Sequence, residues 1–567
     1  VNNGRKGIRK GLTRYGEDAF SLYVRKAFIK AMGYTDDALE RPLIGIANTY
    51  SGYNACHATV PGIIEAVKRG VMLADGLPIE FPTISLHESF AFPTSMFLRN
   101  LMSMDTEEMI RAQPMDAVVL VGGCDKTVPA LLMGAASAGV PAIVEVTGPM
   151  LTGTHHGERI GACTDCRRFW AKYRGGEIDD AEVEELTNEL VPTAGTCGVM
   201  GTASTMALMT EALGMMLPGG AAIPATYADR PRHAEETGKR AVAMAAEELT
   251  PEQVMTPAAF RNALRILHAV GGSTNGIIHA TAMAGRLGIP IELDAFDELG
   301  RDIPVLVDLK PSGQFYMEDL HRAGGLAPVL RELRGHLELD ALTVSGRTLG
   351  DEIDALPKAY PQDVVRPISD PLYPGGGIAV LRGNLAPDGA VIKQSAADPG
   401  LLNHEGRAVV FTSLADMAAR IDDPELDVAE DDVLVLQNAG PLGAPGMPEA
   451  GYLPIPKKLA ERGVKDMVRL SDARMSGTAF GTIILHVAPE AAAGGPLGLV
   501  ENGDRIRLDV ANRQLELLID DAELAERRAR WQPPPAHAGA ERGYLNLFLD
   551  SVTQAPEGCD FAFLKAR

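Results

Sequence analysis

The sequence predicts an α/β protein of two domains: an N-terminal domain, residues 1–374, with a mostly parallel sheet, and a β-rich C-terminal domain, residues 375–567. Three observations predict it. Short apolar runs alternate with helical periodicity through the first 150 residues. A break of proline and glycines, Tyr373-Pro374-Gly375-Gly376-Gly377, interrupts the chain. Beyond it the texture changes to short strand-like runs separated by turns.

In chain order, helical periodicity covers Asp18 to Met32 and His57 to Leu73. Between them RPLIGIANTYSGYNAC reads as a strand feeding a polar, glycine-bearing loop. The design repeats from Met115: DAVVLVGG is a buried-strand run, CDKT opens the next segment, PALLMGAASAG is a helix and VPAIVEV the following strand. Strand, loop, helix, strand is the unit of a parallel sheet, whose ligands sit beyond the carboxyl ends of the strands. Cys56 and Cys124 both fall at such ends. The stretch Met206 to Tyr227 reads as a helix and turn, since Glu211, Pro218 and Pro224 interrupt it, and Asp229 to Arg286 is mainly helical. After residue 375 the runs IAVLRGN, AVIKQS, RAVVFTS, DVLVLQN, TIILHV and DRIRLDV are strands.

Composition narrows the function. The chain of 567 residues carries 53 basic against 75 acidic residues, a formal charge of −22, which opposes non-specific binding to nucleic acid or anionic membrane. The start, VNNGRKGIRKGLTRYGEDAF, has no apolar run of a secretory signal, and no stretch reads as a bilayer span. Six cysteines are too few for a disulfide scaffold and suit a reducing compartment, so a cytoplasmic enzyme is expected.

Several motifs are excluded. GGCDKT has the wrong spacing for a phosphate loop, Ala91 stands where a zincin would need its second histidine, and ARMSGTAFG is no GxSxG elbow. Cys163 and Cys166 form a CxxC that reads as a packed loop beside a helix, and the pair His155-His156 reads as surface or turn. Cys56, Cys124 and Cys197 differ, because each lies in a glycine-rich or polar turn: SGYNAC, GGCDKT and AGTCGVMGT. Loops of this kind let thiolates converge and backbone approach inorganic sulfide, although from spacing alone three scattered cysteines read first as buried structural residues. Glu88, Asp125 and Glu449 are loop carboxylates of the type a hard cation takes, although any one of them taken singly reads as a solvated acid.

Together these segments resemble the IlvD/Edd dehydratase family, over essentially the whole chain. The resemblance is carried by RPLIGIANTYSGYNACH, RNLMSMDTEEMI, VGGCDKTVPALLMGAASAG, AGTCGVMGTASTMA, VGGSTNGIIHATA, GPLGAPGMPEAGYLPIP, SDARMSGTAFG and HVAPEAAAGGPLGLVENGD. It implies iron–sulfur ligation by Cys56, Cys124 and Cys197, in a [2Fe-2S] cluster or, as in some members, a [4Fe-4S] one. It implies Mg²⁺ held by Glu88, Asp125, Lys126 and Glu449, with Lys126 carbamylated, since an ammonium cannot ligate a cation. Ser476 falls on the catalytic base and Thr478 beside it on a substrate contact. The C-terminal domain is expected to be barrel-like, the site to lie between the domains, and the protein to form a homodimer or homotetramer.

The implied substrate is a 2,3-dihydroxy carboxylate, which would lose its C2 proton and C3 hydroxyl to give a 2-keto acid. CDKTVPA, RNLMSMDTEEMI and GMPEAGYLPIP resemble the sugar-acid branch, so a pentonate or hexonate is expected ahead of 2,3-dihydroxyisovalerate. Phosphogluconate ranks third, no added basic cluster being visible for a phosphate. An iron-sensing or RNA-binding role is opposed by the charge of −22 and by carboxylates a sensor would not need. A structural zinc site at CTDC is the remaining non-catalytic reading.

Overall fold

The computed structural model describes residues 6–12 and 16–566; the parts of the polar N-terminal segment at 1–5 and 13–15 lie outside them. Helix α1 (Asp18–Ala31) precedes strand β1 (Leu43–Asn48). Helix α2 (Val60–Leu73), β2 (Leu77–Pro82), α3 (Ser95–Ala112), β3 (Ala117–Gly122), α4 (Thr127–Ala138) and β4 (Ala142–Val146) follow. The four strands form one parallel sheet in the order β2-β1-β3-β4, with Leu43 beside Leu77, Ile44 beside Ala117 and Val118 beside Ala142. Every residue of β3 is buried, as a parallel strand covered on both faces requires.

Apolar spacing puts Val60, Ile63, Ile64, Val67 and Val71 on the buried face of α2. A short hairpin of β5 (Gly153–His155) and β6 (Glu158–Ile160) leads into α5 (Thr164–Arg174) and α6 (Asp180–Glu189). Then come α7 (Thr202–Ala212), α8 (Asp229–Glu247), α9 (Pro251–Val254), α10 (Pro257–Ala269) and α11 (Asn275–Gly285). Helices α2 and α8 cross closely through reciprocal glycines: a Cβ on Gly70 would overlap the carbonyl of Glu235, and one on Gly238 that of Val67.

Eight further strands close into a barrel: β7 (Ala379–Gly383), β8 (Ala386–Ile392), β9 (Asn403–Phe411), β10 (Val433–Leu436), β11 (Arg469–Ser471), β12 (Ile483–Ala488), β13 (Arg505–Asp509) and β14 (Gln514–Leu517). Their order is β10-β11-β12-β8-β7-β14-β13-β9, and β9 through β12 run parallel to one another. Alternation along the strands decides what fills the barrel: Ala408, Val410, Val433 and Val435 pack in one cluster, Val409, Phe411, Leu434 and Leu436 in another. The expected α/β class with a barrel-like second half is what the chain adopts. Among the described residues no helix is long and apolar enough to cross a membrane.

Candidate active site

The carboxyl ends of the two sheets supply the site. Cys56 follows β1, Glu88 follows β2, and Cys124, Asp125 and Lys126 follow β3 directly. From the barrel, Glu449 lies in the connection after β10 and Ser476 in the connection after β11. These segments meet around one cavity of 1180 Å³, whose wall includes Cys56, Cys124, Cys197, Glu88, Asp125 and Glu449, with Ser476 and Thr478. Residues far apart in the chain are therefore brought together; Lys126, fully buried, lies beneath this surface.

The thiol side is built on His57. Its Nδ1 donates to the carbonyl of Thr49 (2.7 Å), which leaves Nε2 to accept the backbone N–H groups of Gly123 (3.0 Å) and Cys124 (3.2 Å). One neutral imidazole thus ties the loop after β1 to the loop after β3. Burial, with a contribution from the charge of His87 and against the Thr49 carbonyl, draws His57 down to about 4. Its stabilising contribution is therefore complete above pH 6.5 and is lost as the pH falls toward 4, about 3 kcal/mol in all. The expected result is a steeper loss of urea resistance between pH 7 and 4.5 in the native protein than in His57→Gln, which keeps an acceptor but does not titrate. Equal slopes would refute this role.

Hydrogen bonding from Cys124, then that of His87, outweighs burial and brings the Cys56 thiol down to about 6. Cys197 stands beside Cys163, their sulfurs 3.3 Å apart. Cys163 and Cys166 also line the cavity, Cys163 as the N-cap of α5, so the CxxC is a helix start that faces the site and not packing alone. His155 departs further from its sequence reading, being buried, with its ring nitrogens against Glu189 (2.7 Å) and Glu182 (3.4 Å); His156 is exposed.

On the acidic side, one oxygen from each of Glu88, Asp125 and Glu449 lies within 4.8 Å of the others. Such a set repels itself unless a cation sits among it. Lys126 Nζ contacts Asp125 and lies 3.6 Å from Glu88 and 3.7 Å from Glu449. Burial would lower its pKa, as would Arg474, but the three carboxylates prevail and hold it raised. Glu88 also accepts from Thr94 Oγ1 (2.6 Å) and from Ser95; against its burial, Lys126, Arg474 and these hydroxyls hold it well below the ordinary carboxylate range.

Arg474, not singled out in the sequence, closes the acidic side. Fully buried, it donates to Glu449 (2.6 Å), to Thr94 Oγ1 (2.8 Å) and to Glu88 (3.4 Å), joining the barrel to the parallel-sheet half. Its only sequence signal was its place two residues before Ser476. The serine loop is pinned from several sides. Asn275 Nδ2 donates to the carbonyl of Met475 (3.0 Å), Thr164 Oγ1 to that of Thr478 (2.9 Å), and Gly477 sits where a Cβ would come 2.5 Å from Ser273 Cβ. Ser476 Oγ is left 2.8 Å from Thr478 Oγ1, facing the cavity.

Chemically the cavity has two donor sets and a hydroxyl pair. The carboxylates, already gathered around a cation, fit a hard divalent metal, and the thiols fit iron. Both halves of the chain match models of one family: residues 41–352 the dihydroxy-acid/6-phosphogluconate dehydratase N-terminal domain, residues 363–559 its C-terminal domain. The protein is a dehydratase, a hydro-lyase. It is 50% identical over 558 residues to the L-arabonate dehydratase of Azospirillum brasilense, covering 97% of this chain and 96% of that one. It is 44% identical over 556 residues to the 6-deoxy-6-sulfo-D-gluconate dehydratase of Pseudomonas putida, with the same two coverages. To the dihydroxy-acid dehydratase of Moorella thermoacetica the identity is 40% over 542 residues, 94% of this chain and 97% of the other. The chain belongs to the dihydroxy-acid/6-phosphogluconate dehydratase family.

Proposed function

We propose that the protein dehydrates a sugar acid, a pentonate or hexonate, to the 2-keto-3-deoxy acid, with an iron–sulfur cluster on Cys56, Cys124 and Cys197 and Mg²⁺ on Glu88, Asp125, Glu449 and carbamylated Lys126. The observation that carries this reading is the convergence of Ser476 and both donor sets on one cavity. Identities of 50% and 44% to dehydratases named for an arabonate and a sulfogluconate, against 40% to one named for dihydroxy acids, support the sugar-acid branch.

The chemistry asks for two things, acidity at C2 and departure of the C3 hydroxyl. Bound metal supplies Lewis acidity at both positions, stabilising charge that develops beside the carboxylate and on the leaving oxygen. With its hydroxyl ionised beside bound metal, Ser476 Oγ would take the C2 proton and return to the neutral hydroxyl, while Thr478, 2.8 Å away, orients that oxygen and the substrate. Asn275 and Thr164 hold the loop so that this hydroxyl does not turn away. Carbamylation of Lys126 would exchange a cation for an oxygen ligand among three carboxylates, which a divalent metal would have to balance. Loss of hydroxide from C3 leaves an enol that tautomerises to the 2-keto acid. A homodimer or homotetramer is the assembly expected for such an enzyme.

The test is 2-keto acid formation by anaerobically purified protein supplied with Mg²⁺, comparing kcat/KM on C5 and C6 aldonates with that on 2,3-dihydroxyisovalerate. A preference for an aldonate of at least about tenfold, or 1.4 kcal/mol, is expected. A preference for dihydroxyisovalerate would overturn the substrate reading and leave the family unaffected.

A further inference from the structure

We infer that Arg167 is the specificity residue of this cavity, donating to the oxygens that a sugar acid carries beyond C3; the inference rests on the sugar-acid reading above. Arg167 lies one turn into α5, its backbone N–H bonded to the carbonyl of Cys163. Its side chain lines the cavity, with the guanidinium carbon 4.9 Å from the ring centroid of Tyr452, three residues after Glu449. The residue therefore spans the gap between the thiol side, through Cys163, and the acidic side, through Tyr452.

What sets it apart is a buried guanidinium nitrogen without a hydrogen-bond partner. Of the other cations of this helix, Arg168 is paired with Asp165 (3.0 Å) and Glu158 (2.7 Å) and Arg174 with Asp422, and Lys172 lies over the ring of Phe169 (5.4 Å). Among the described residues Arg167 has no carboxylate within ion-pairing distance, and its Nε is buried without a hydrogen-bond partner. Of the cavity's acids, Glu88, Asp125 and Glu449 are engaged by Lys126 and Arg474, and Glu177 makes no ion pair with Arg167 among the described residues. A half-buried guanidinium whose donors are unmet gains from any ligand oxygen that reaches it, and its planar fork matches vicinal hydroxyls.

The direction along the substrate follows from what surrounds it. If the acidic set takes C1 and C2 and the thiol side takes the C3 hydroxyl, the donors left for C4 and beyond include Arg167, which stands between the two sets. 2,3-Dihydroxyisovalerate has no oxygen there and gives Arg167 nothing to bind. The residue would thus separate the two substrate classes by a bond present with one and absent with the other, the kind of discrimination a buried polar group performs well.

The experiment uses holoenzyme carrying Ser476→Ala, so that ligands bind without turnover, and measures Kd by calorimetry for a C5 aldonate and for 2,3-dihydroxyisovalerate, with and without Arg167→Met. Methionine keeps an apolar stem against Tyr452 and removes the donors. The aldonate is expected to weaken about 10- to 100-fold, the loss of bonds to a charged group, and dihydroxyisovalerate by less than about threefold. Arg167→Lys, with charge but no fork, should fall between. With Ser476 intact, the aldonate effect should appear mainly in KM. Equal weakening of both ligands, or of neither, overturns the inference while the sugar-acid reading stands. A native enzyme that turns over dihydroxyisovalerate and no aldonate overturns both.

Discussion

Replacing Ser476 by alanine is expected to lower kcat about 10²- to 10⁴-fold, the range that a positioned proton acceptor contributes. Iron, sulfide and Mg²⁺ content should not change, because the hydroxyl belongs to neither donor set. Stability should change little as well: among the described residues Ser476 Oγ bonds only Thr478, through its hydroxyl at 2.8 Å and its N–H at 3.4 Å. The loop remains fastened by Asn275 to Met475 and by Thr164 to Thr478. The check is single-turnover formation of 2-keto acid alongside metal analysis and a thermal melt. A variant that keeps more than about a tenth of the native kcat, with its metals intact, would assign the proton transfer to another group.

Arg474→Met carries the largest expected cost in stability, about 3–5 kcal/mol, because it strips a buried partner from carboxylates that stay behind. Arg474 is fully buried and holds Glu88 and Glu449, which come from opposite halves of the chain. Without it, among the described residues, Lys126 remains as the ion-pair partner of Glu88, Asp125 and Glu449, whose oxygens are within 4.8 Å of one another. A divalent cation bound by the same oxygens would supply the missing charge. Millimolar Mg²⁺ should therefore raise the urea midpoint of Arg474→Met more than that of the native protein. Arg474→Lys should fall between, since a point charge cannot reproduce the fork that reaches Glu449, Thr94 and Glu88 at once. A variant as stable as the native protein, with no response to Mg²⁺, would remove the carboxylate set as a cation site.

Much of this was legible in the chain. The runs LIGIAN, AVVLVG and AIVEV gave three of the four parallel strands, because a strand buried on both faces is continuously apolar. Cys56 and Cys124 are legible because they stand beyond the ends of such strands, where a parallel sheet presents its ligand-binding edge. The barrel strands were visible one by one, yet nothing local states that β14 closes onto β7 or that β9 lies beside both β10 and β13. Roles for Lys126, Ser476 and Thr478 came from the resemblance, since isolated lysines, serines and threonines carry no chemical signature.

What the sequence determined by itself was set by local periodicity and by order along the chain: three of the four parallel strands, strands of the barrel taken singly, several helices, and the loops that carry thiols and acids. Only the tertiary structure decided the partners of His57, Arg474, Cys163 and Arg167. Arg474 meets Glu88 across 386 residues of sequence, and His57 reaches the N–H of Cys124 across 67. The physical reason is that a hydrogen bond or ion pair is a property of two positions in space. A buried arginine and a solvated one are the same letter until the fold has removed the water and chosen the carboxylate.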